Sequence, residues 1–497
     1  MKRSMQDLEN FTADFRELET VMDGVDFKRP PAVASAPTVG VNDGIFAAAE
    51  RALECGQSLC WVLDADDRVV GEVTVQSVRE AVKSGAYRAA LRAADLMREP
   101  VQVVRDGQAS DLPAVVELDA DGRIAAFKLN PLAEFLPVAE PDLSGAEFRN
   151  LADAYLSTWI SSTGEYIRSF ESRFAAWNGM KHGVAVSNGT VSLHLALAAL
   201  GVGPGDEVIV PDLTFAATIN TVMHVGATPV IVDVDPETWC MSAELFAAAI
   251  TPRTRAVIPV HVFGRPAPMT EIAAVARAHG IYVIEDCAEA HGARYDGKMV
   301  GEFSDIASYS FFANKIMTTG EGGICLTNNL EIAERLRMLR DHGMNPARRY
   351  WHDEAGFNFR MTNMQAAVGC AQLDRIDTFL SDRQGVMDLY RPALEGIPGV
   401  TLPTALPDRY QPVTWFACAL VPADKRAALI AACKAESIDL RPFFNGLSAM
   451  PAYRRHARPC PVSYELSQTG VNLPTSRRVD AEVVAKIASI FRSVLDA

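Results

Sequence analysis

Four short features pair residue types that do chemistry with spacings that give them room. In "YSFFANKIMTTGEGG", residues 309–323, Lys315 stands between an apolar run and a cluster of glycines. In "GIYVIEDCAEAHG" an apolar run ends on acids and places Asp286 at its edge. "AVSNGTVSLHLALAAL" sets Gly189 and Thr190 in a turn that opens a helical pattern, and Ser310 closes the run before Lys315. Each has an ordinary reading alone. Lys315 can lay its stem over Phe311 and Phe312 and reach water, Asp286 or Thr190 can cap a helix, and Ser310 can face out of a strand. Together they make an amine, a carboxylate in an apolar setting and a ready anion cradle. Pyridoxal phosphate asks for that set: an amine for a Schiff base, an anion opposite the pyridine nitrogen, and N–H and hydroxyl donors at a helix N-terminus for the phosphate.

The elements that must position these groups are also legible. From about residue 136, "DEVIVP", "TPVIVDVD", "RAVIPVHVFG", "GIYVIEDC", "IASYSFF" and "GICLTN" alternate with helical patterns such as "MTEIAAVARAHG" and "EIAERLRMLRDHG". Short apolar strands alternating with helices predict an α/β fold with a largely parallel sheet covered on both faces. In such sheets ligands bind beyond the carboxyl ends of the strands, where Asp286, Ser310 and Lys315 fall. The expected division is a large domain over 136–395 and a small α/β domain over 396–497, built on "WFACALVP", the helix in "DKRAALIAACKAES" and a final helix. "PVAEPDLSGAEF" reads as the linker before them.

Residues 1–135 have another texture. After an acidic, helix-patterned start and a loop, "KRPPAVASAPTVG", the segment 44–82 reads as helix, strand (Leu59–Leu63), turn (Asp64–Asp67), strand (Val69–Val75) and helix. A second strand, acidic-glycine turn and strand follow in "VVELDADGRIAAFKL". This repeat resembles a pair of cystathionine-β-synthase-type (CBS) modules, the second shortened. The resemblance implies a dimerising appendage or a sensor of an adenine nucleotide; a small docking domain without a ligand is the alternative.

Composition narrows the class. With 497 residues, 49% hydrophobic and 22% charged, the chain has the make-up of a globular protein. A net charge of -15 argues against a nucleic-acid partner. Its apolar runs stop short of the roughly 18 residues a membrane span needs, and "MKRSMQDLENFTADF" lacks a secretory h-region, so the expected compartment is the cytoplasm. Nine cysteines without metal-ligand spacing predict reduced core thiols and no metal site.

From about residue 138 onward the chain resembles the DegT/DnrJ/StrS family of sugar-nucleotide aminotransferases. The segments that carry the likeness are "TWISSTGEYIRSFE", "SNGTVSLHLAL", "PDLTFAATINTVMHVGATPVIVDVD", "IEDCAEAHGARYDGKMVG", "SFFANKIMTTGEGG" and "YWHDEAGFNFRMTNMQAAVGCAQL". The resemblance implies a fold-type I pyridoxal-phosphate aminotransferase, with L-glutamate as amino donor and a keto-sugar nucleotide as acceptor. "NKIMTTGEGG" and the 350–367 segment are most like enzymes that aminate GDP-4-keto-6-deoxymannose. By the same resemblance Lys315 anchors the cofactor, Asp286 pairs with the pyridinium, Glu289 approaches the ring hydroxyl and Phe215 stacks on the ring. Gly189, Thr190 and Ser310 hold the phosphate, joined by Asn358 of a second subunit, so the active site needs a homodimer. Trp159, Thr163 and Ser448 are the substrate candidates. One segment departs: relatives read like "RPFFYPLHxMPPY" where this chain has "RPFFNGLSAMPAY" at 441–453, which leaves room for a UDP-, dTDP- or CMP-linked sugar.

Overall fold

The computed structural model describes residues 36, 38–54, 59–83, 93–97, 103–104, 114–118, 124–129 and 135–496. The acidic start expected to be helical lies outside them, as does the acidic-glycine turn of the second repeat. The described residues before 135, with Leu143–Gly145, form one compact unit; Phe135–Asp142 and the chain from Ala146 onward form another.

In the first unit, strands β1 (Thr38–Gly40), β2 (Leu59–Leu63) and β3 (Val69–Thr74) make one sheet. β1 runs parallel to β2, and β2 antiparallel to β3. The helix Ile45–Glu54 lies between β1 and β2 in sequence. Its buried Ala48 and Ala52 join Val39, Cys60, Val62 and Val73 in a small core. Strands β4 (Val103–Val104), β5 (Ala114–Leu118) and β6 (Ile124–Leu129) repeat the pattern, one parallel pair and then one antiparallel pair. Both hairpins even slip register at the same place, between Val62 and Leu63 and between Glu117 and Leu118. The parallel partners are Thr38 and Trp61 in the first copy, 23 positions apart, and Val103 and Val116 in the second, 13 apart. The loop expected across "PTVG" is therefore β1 in part: pairing with β2 gives Thr38–Gly40 the backbone partners a loop lacks.

The second unit is built on seven strands: β7 (His182–Val186), β8 (Glu207–Pro211), β9 (Thr228–Val232), β10 (Thr254–Val257), β11 (Tyr282–Asp286), β14 (Ile306–Ser310) and β15 (Gly323–Thr327). Two short strands, β12 (Arg294–Tyr295) and β13 (Lys298–Met299), form a hairpin between β11 and β14. The sheet order is β7-β15-β14-β11-β10-β8-β9. Every pair is parallel except the two that β15 makes. Alternate residues enter two separate apolar clusters: Ile209, Val257, Val283 and Ala307 go to one, and Val208, Val210, Ala256, Ile284 and Ile306 to the other. That two-sided burial is why the runs are continuously apolar. At about 1.5–3 kcal/mol for each fully buried aliphatic side chain, apolar residues hold the strands and polar ones survive mainly at the ends.

Strands β16 (Tyr410–Gln411), β17 (Ala417–Leu420), β18 (Arg441–Pro442) and β19 (Gly470–Leu473) follow. β16 extends the β12–β13 hairpin, while β19 lies between β17 and β18 in a sheet of three. The helix Ala423–Ala435 connects β17 to β18 and Ala481–Leu495 follows β19, each carrying an apolar face with Leu429 and Cys433 or Val483, Ile487 and Phe491 buried. No helix among the described residues is long and apolar enough to cross a membrane.

Candidate active site

The loop from β14 to β15 is tied at its base. Phe311 is buried edge-on against Phe170 and Phe174, both at 5.1 Å. Its N–H donates to the Gly322 carbonyl (2.8 Å), and its own carbonyl accepts from Thr319 N–H (3.0 Å) and the Thr318 hydroxyl (2.9 Å). Gly320 has φ +81°, and a Cβ on Gly323 would lie 2.5 Å from the Asn188 carbonyl oxygen. The glycines thus let the loop turn and press against the β7 end. Lys315 leaves this loop with its side chain only 11% exposed.

The Lys315 ammonium lies 3.7 Å from Glu289 Oε1 and 3.9 Å from the centroid of the Trp415 ring. Burial lowers the Lys315 pKa, against the pull of Glu289 and Asp286, so the neutral amine becomes accessible. Burial also pushes the Glu289 carboxyl up to about 7, with Lys315 opposing it. Glu289 Oε2 accepts the Phe263 N–H at 2.9 Å. To present that N–H, Phe263 adopts φ 52° and ψ 26°, a left-handed conformation that costs a non-glycine residue about 1–2 kcal/mol.

Asp286, the last residue of β11, is buried, which raises its pKa. Four things oppose that shift: the Thr218 hydroxyl donated to Oδ2 (2.9 Å), the Ala288 N–H donated to Oδ1 (3.2 Å), the charge of Lys315 and the nearby His261. The Oδ1 contact to Ala288 resembles a turn-forming aspartate, so the local capping role and the chemical one coexist. Across the sheet edge, Gly189 opens the helix Gly189–Ala199, which Asn188 caps by accepting from Val191 N–H (3.0 Å). A Cβ on Gly189 would fall 2.6 Å from Ser310 Cβ and 2.9 Å from its hydroxyl. The missing side chain keeps the first turn's N–H groups, half-buried Thr190 and Ser310 around one small space.

These residues fit pyridoxal phosphate. An amine, a buried anion and an N-terminal helix turn cleared by a glycine sit at the carboxyl ends of β14, β11 and β7, one edge of one sheet. Phe215 follows β8 at that edge, 58% exposed, its ring 5.9 Å from that of Phe444. Asn358 is not brought in. It is exposed, on a segment that returns to β7 through Arg360, and it makes no side-chain hydrogen bond among the described residues. Trp159 and Thr163 are exposed. Trp159 lines a cleft of about 460 Å³ with Asp153, Tyr166, Arg168 and Asn363, which none of the Lys315 group reaches. Half-buried Ser448 donates its N–H to Asp212 Oδ1 at 2.6 Å and makes no contact with Lys315.

Four residues that local patterns did not single out complete the site. Thr218 holds Asp286, and Phe263 holds Glu289. Trp415 donates its indole N–H to the Asn314 carbonyl (2.7 Å) while its face meets Lys315. Buried Arg383 donates to the Trp415 carbonyl (2.7 Å) and to the Lys315 carbonyl (3.4 Å), and burial lowers its pKa to about 10. Any of them reads as core in isolation.

His261, Glu285 and Cys287 also lie close together. His261 Nδ1 accepts the Ala267 N–H (3.0 Å), so its proton sits on Nε2 and goes to Glu285 Oε2 (3.1 Å). Glu285 further accepts from Gly301 and Phe303 N–H. The group is a satisfied buried network that braces β11. The eight described cysteines are buried, and none of them is in a disulfide.

Known proteins resemble this chain in sequence and fold. The DegT/DnrJ/EryC1/StrS aminotransferase family matches residues 141–492. A GDP-perosamine synthase of Caulobacter vibrioides is 44% identical over 366 residues, which cover 72% of this chain and 98% of the relative. One from Escherichia coli O157:H7 is 40% identical over 354 residues, 71% of this chain and 97% of the relative. Among solved structures, the aminotransferase from Psychrobacter cryohalolentis superposes with a TM-score of 0.68 at 31% identity, covering 73% of this chain and 99% of that one.

Proposed function

The chain belongs to the DegT/DnrJ/EryC1/StrS aminotransferase family, and on that premise we propose that it moves an amino group from L-glutamate to the keto carbon of GDP-4-keto-6-deoxymannose, giving GDP-perosamine. The observation that carries this reading is the match to two GDP-perosamine synthases along 97% and 98% of their lengths, in the part of the chain that holds Lys315, Asp286 and Glu289. The enzyme is a pyridoxal-phosphate-dependent nucleotide-sugar aminotransferase.

The cofactor, when bound, supplies a carbonyl that accepts amines and a ring that takes up electrons. In our reading Lys315 would hold that carbonyl on its Nζ, and the same atom would move the α-proton of glutamate. Burial suits it to that task, because a base must be unprotonated when it acts. Asp286 would keep a proton on the ring nitrogen, Glu289 would hold the ring hydroxyl, and Phe215 would cover the ring face. Gly189, Thr190 and Ser310 take the phosphate, with Asn358 reaching in from a second copy of the chain. Its exposure and lack of a side-chain hydrogen bond among the described residues support that assignment, and the working unit is then a homodimer. Using one site for donor and acceptor in turn gives ping-pong kinetics. The proposed setting is cytoplasmic synthesis of a surface-polysaccharide sugar such as one of an O-antigen.

The test is a panel of GDP-, UDP-, dTDP- and CMP-linked keto sugars incubated with L-glutamate. GDP-4-keto-6-deoxymannose should give the highest kcat/KM, by at least about tenfold. A UDP-, dTDP- or CMP-linked sugar that wins would reassign the substrate within the same chemistry, a reading favoured by the altered loop around Ser448.

For the first unit we propose a CBS-type pair that takes an adenine nucleotide, supported by the two copies of the parallel-then-antiparallel strand pattern. Millimolar AMP or ATP should then raise the melting temperature of the full chain; identical melting curves with and without either would leave the unit a docking domain.

A further inference from the structure

Asp286 is not held by the turn after β11 alone. Thr218 Oγ1 donates to Asp286 Oδ2 at 2.9 Å, and behind it Thr214 Oγ1 lies 3.2 Å from Thr218 Oγ1. Thr218 has a single hydroxyl proton and spends it on the carboxylate, so in the Thr214–Thr218 bond Thr214 is the donor, this oxygen being nearer to it (3.2 Å) than its other acceptor, the Phe215 carbonyl (3.5 Å). The chain of donors therefore has one direction, from Thr214 through Thr218 to Asp286. Both threonines are buried, at 2% and 0% exposure, so water cannot take over either bond. They stand four residues apart on the stretch that also carries Phe215, and the Thr218 N–H donates to the Phe215 carbonyl at 3.3 Å. One stretch of chain thus sets the hydroxyl behind Asp286 and the aromatic ring beside the same site.

We propose that Thr218, oriented by Thr214, is a positioning residue for amino transfer: it keeps the Asp286 carboxylate charged and aimed at the cofactor's ring nitrogen. This rests on the role proposed for Asp286. The need for it follows from the surroundings. Asp286 is buried, and the groups that face it are Lys315 from the β14–β15 loop, His261 after β10, and Glu289 and Cys287 from its own turn. His261 is already engaged with Glu285, and Lys315 gives up its full charge whenever it serves as a base. The Ala288 N–H and the Thr218 hydroxyl are the hydrogen bonds the carboxylate accepts among the described residues, and only the second comes from outside its own turn.

The experiment is equilibrium binding of pyridoxal phosphate to the full-length apoprotein at pH 6, 7 and 8.5, for wild type, Thr218→Val, Thr218→Ser, Thr214→Val and Asp286→Asn. Thr218→Val keeps the shape and removes the hydroxyl. It should weaken binding about tenfold at pH 6 and by less at pH 8.5, because a carboxyl that has lost a hydrogen-bond donor ionises less readily and is restored as the pH rises. Thr218→Ser should stay within about twofold of wild type at every pH. Thr214→Val, which leaves the Thr218 bond in place, should move binding in the same direction by about threefold. The proposal is overturned if Thr218→Val binds as wild type does, or if valine and serine lose affinity equally at all three pH values. Asp286→Asn separates the two ideas. Wild-type binding by that variant removes the role of Asp286 itself, whereas a weakened Asp286→Asn beside an unaffected Thr218→Val removes only that of Thr218.

Discussion

Lys315→Ala should lower kcat by at least about 10³-fold while the protein still folds. The side chain makes one ion pair, to Glu289 at 3.7 Å, and one contact with the Trp415 face. The backbone of the loop is held independently by Phe311, Thr318, Thr319 and Arg383. Removing a poorly solvated amine therefore takes away the reacting group without loosening the turn that carried it. Glu289 tolerates the loss, since burial already raises its pKa to about 7 and removing the opposing Lys315 charge moves it further toward the neutral form. Release of 2-oxoglutarate from glutamate, followed in a single turnover, reads the effect directly. Circular dichroism with a melting temperature within a few degrees of wild type shows that the fold survives. Retention of a tenth of the wild-type rate would mean that another group does the work.

Asp286→Asn should cost about 10²- to 10³-fold in kcat, the usual size of losing one charge placed against a developing charge in a buried site. The substitution is nearly the same shape, so the loss is one of charge and of hydrogen bonding. Asp286 accepts on both oxygens, from Thr218 on Oδ2 and from Ala288 on Oδ1. An amide can accept on one side only, and its NH2 then faces a donor. Both half-reactions should slow together, because each needs the same ring nitrogen protonated. An effect confined to the sugar half-reaction would instead make Asp286 a substrate contact.

The parts of this site that can be read from the chain are those a strand end makes visible. Asp286, Ser310 and the Gly189 turn interrupt apolar runs whose two-sided burial tolerates few polar residues, so their types and positions stand out. Lys315 is legible for the same reason, once the glycines after it mark a tight return into β15. The supporting residues are hidden because they reach the site through tertiary packing. Thr218 is 68 positions from Asp286, and Trp415 is 101 from Asn314, whose carbonyl it holds. No periodicity links such pairs, and a threonine in "FAATINTVMH" or a tryptophan in "VTWFAC" reads as core. Phe263 is hidden differently, since nothing about a phenylalanine announces a left-handed backbone; only Gly264 beside it hints at a strained turn. β1 escaped because three residues in a proline-containing stretch carry no strand signal until β2 pairs with them. The sugar is the least legible part: Ser448 is anchored to Asp212 through both its backbone and its side chain, which leaves what its loop recognises to atoms outside the chain.

The most direct test of the central claim is to reduce the holoenzyme with borohydride, digest it and locate the phosphopyridoxyl group by peptide mass spectrometry. The geometry predicts a single labelled peptide containing "FFANKIM", modified at Lys315. Label on any other lysine, or a holoenzyme that yields none, would contradict it.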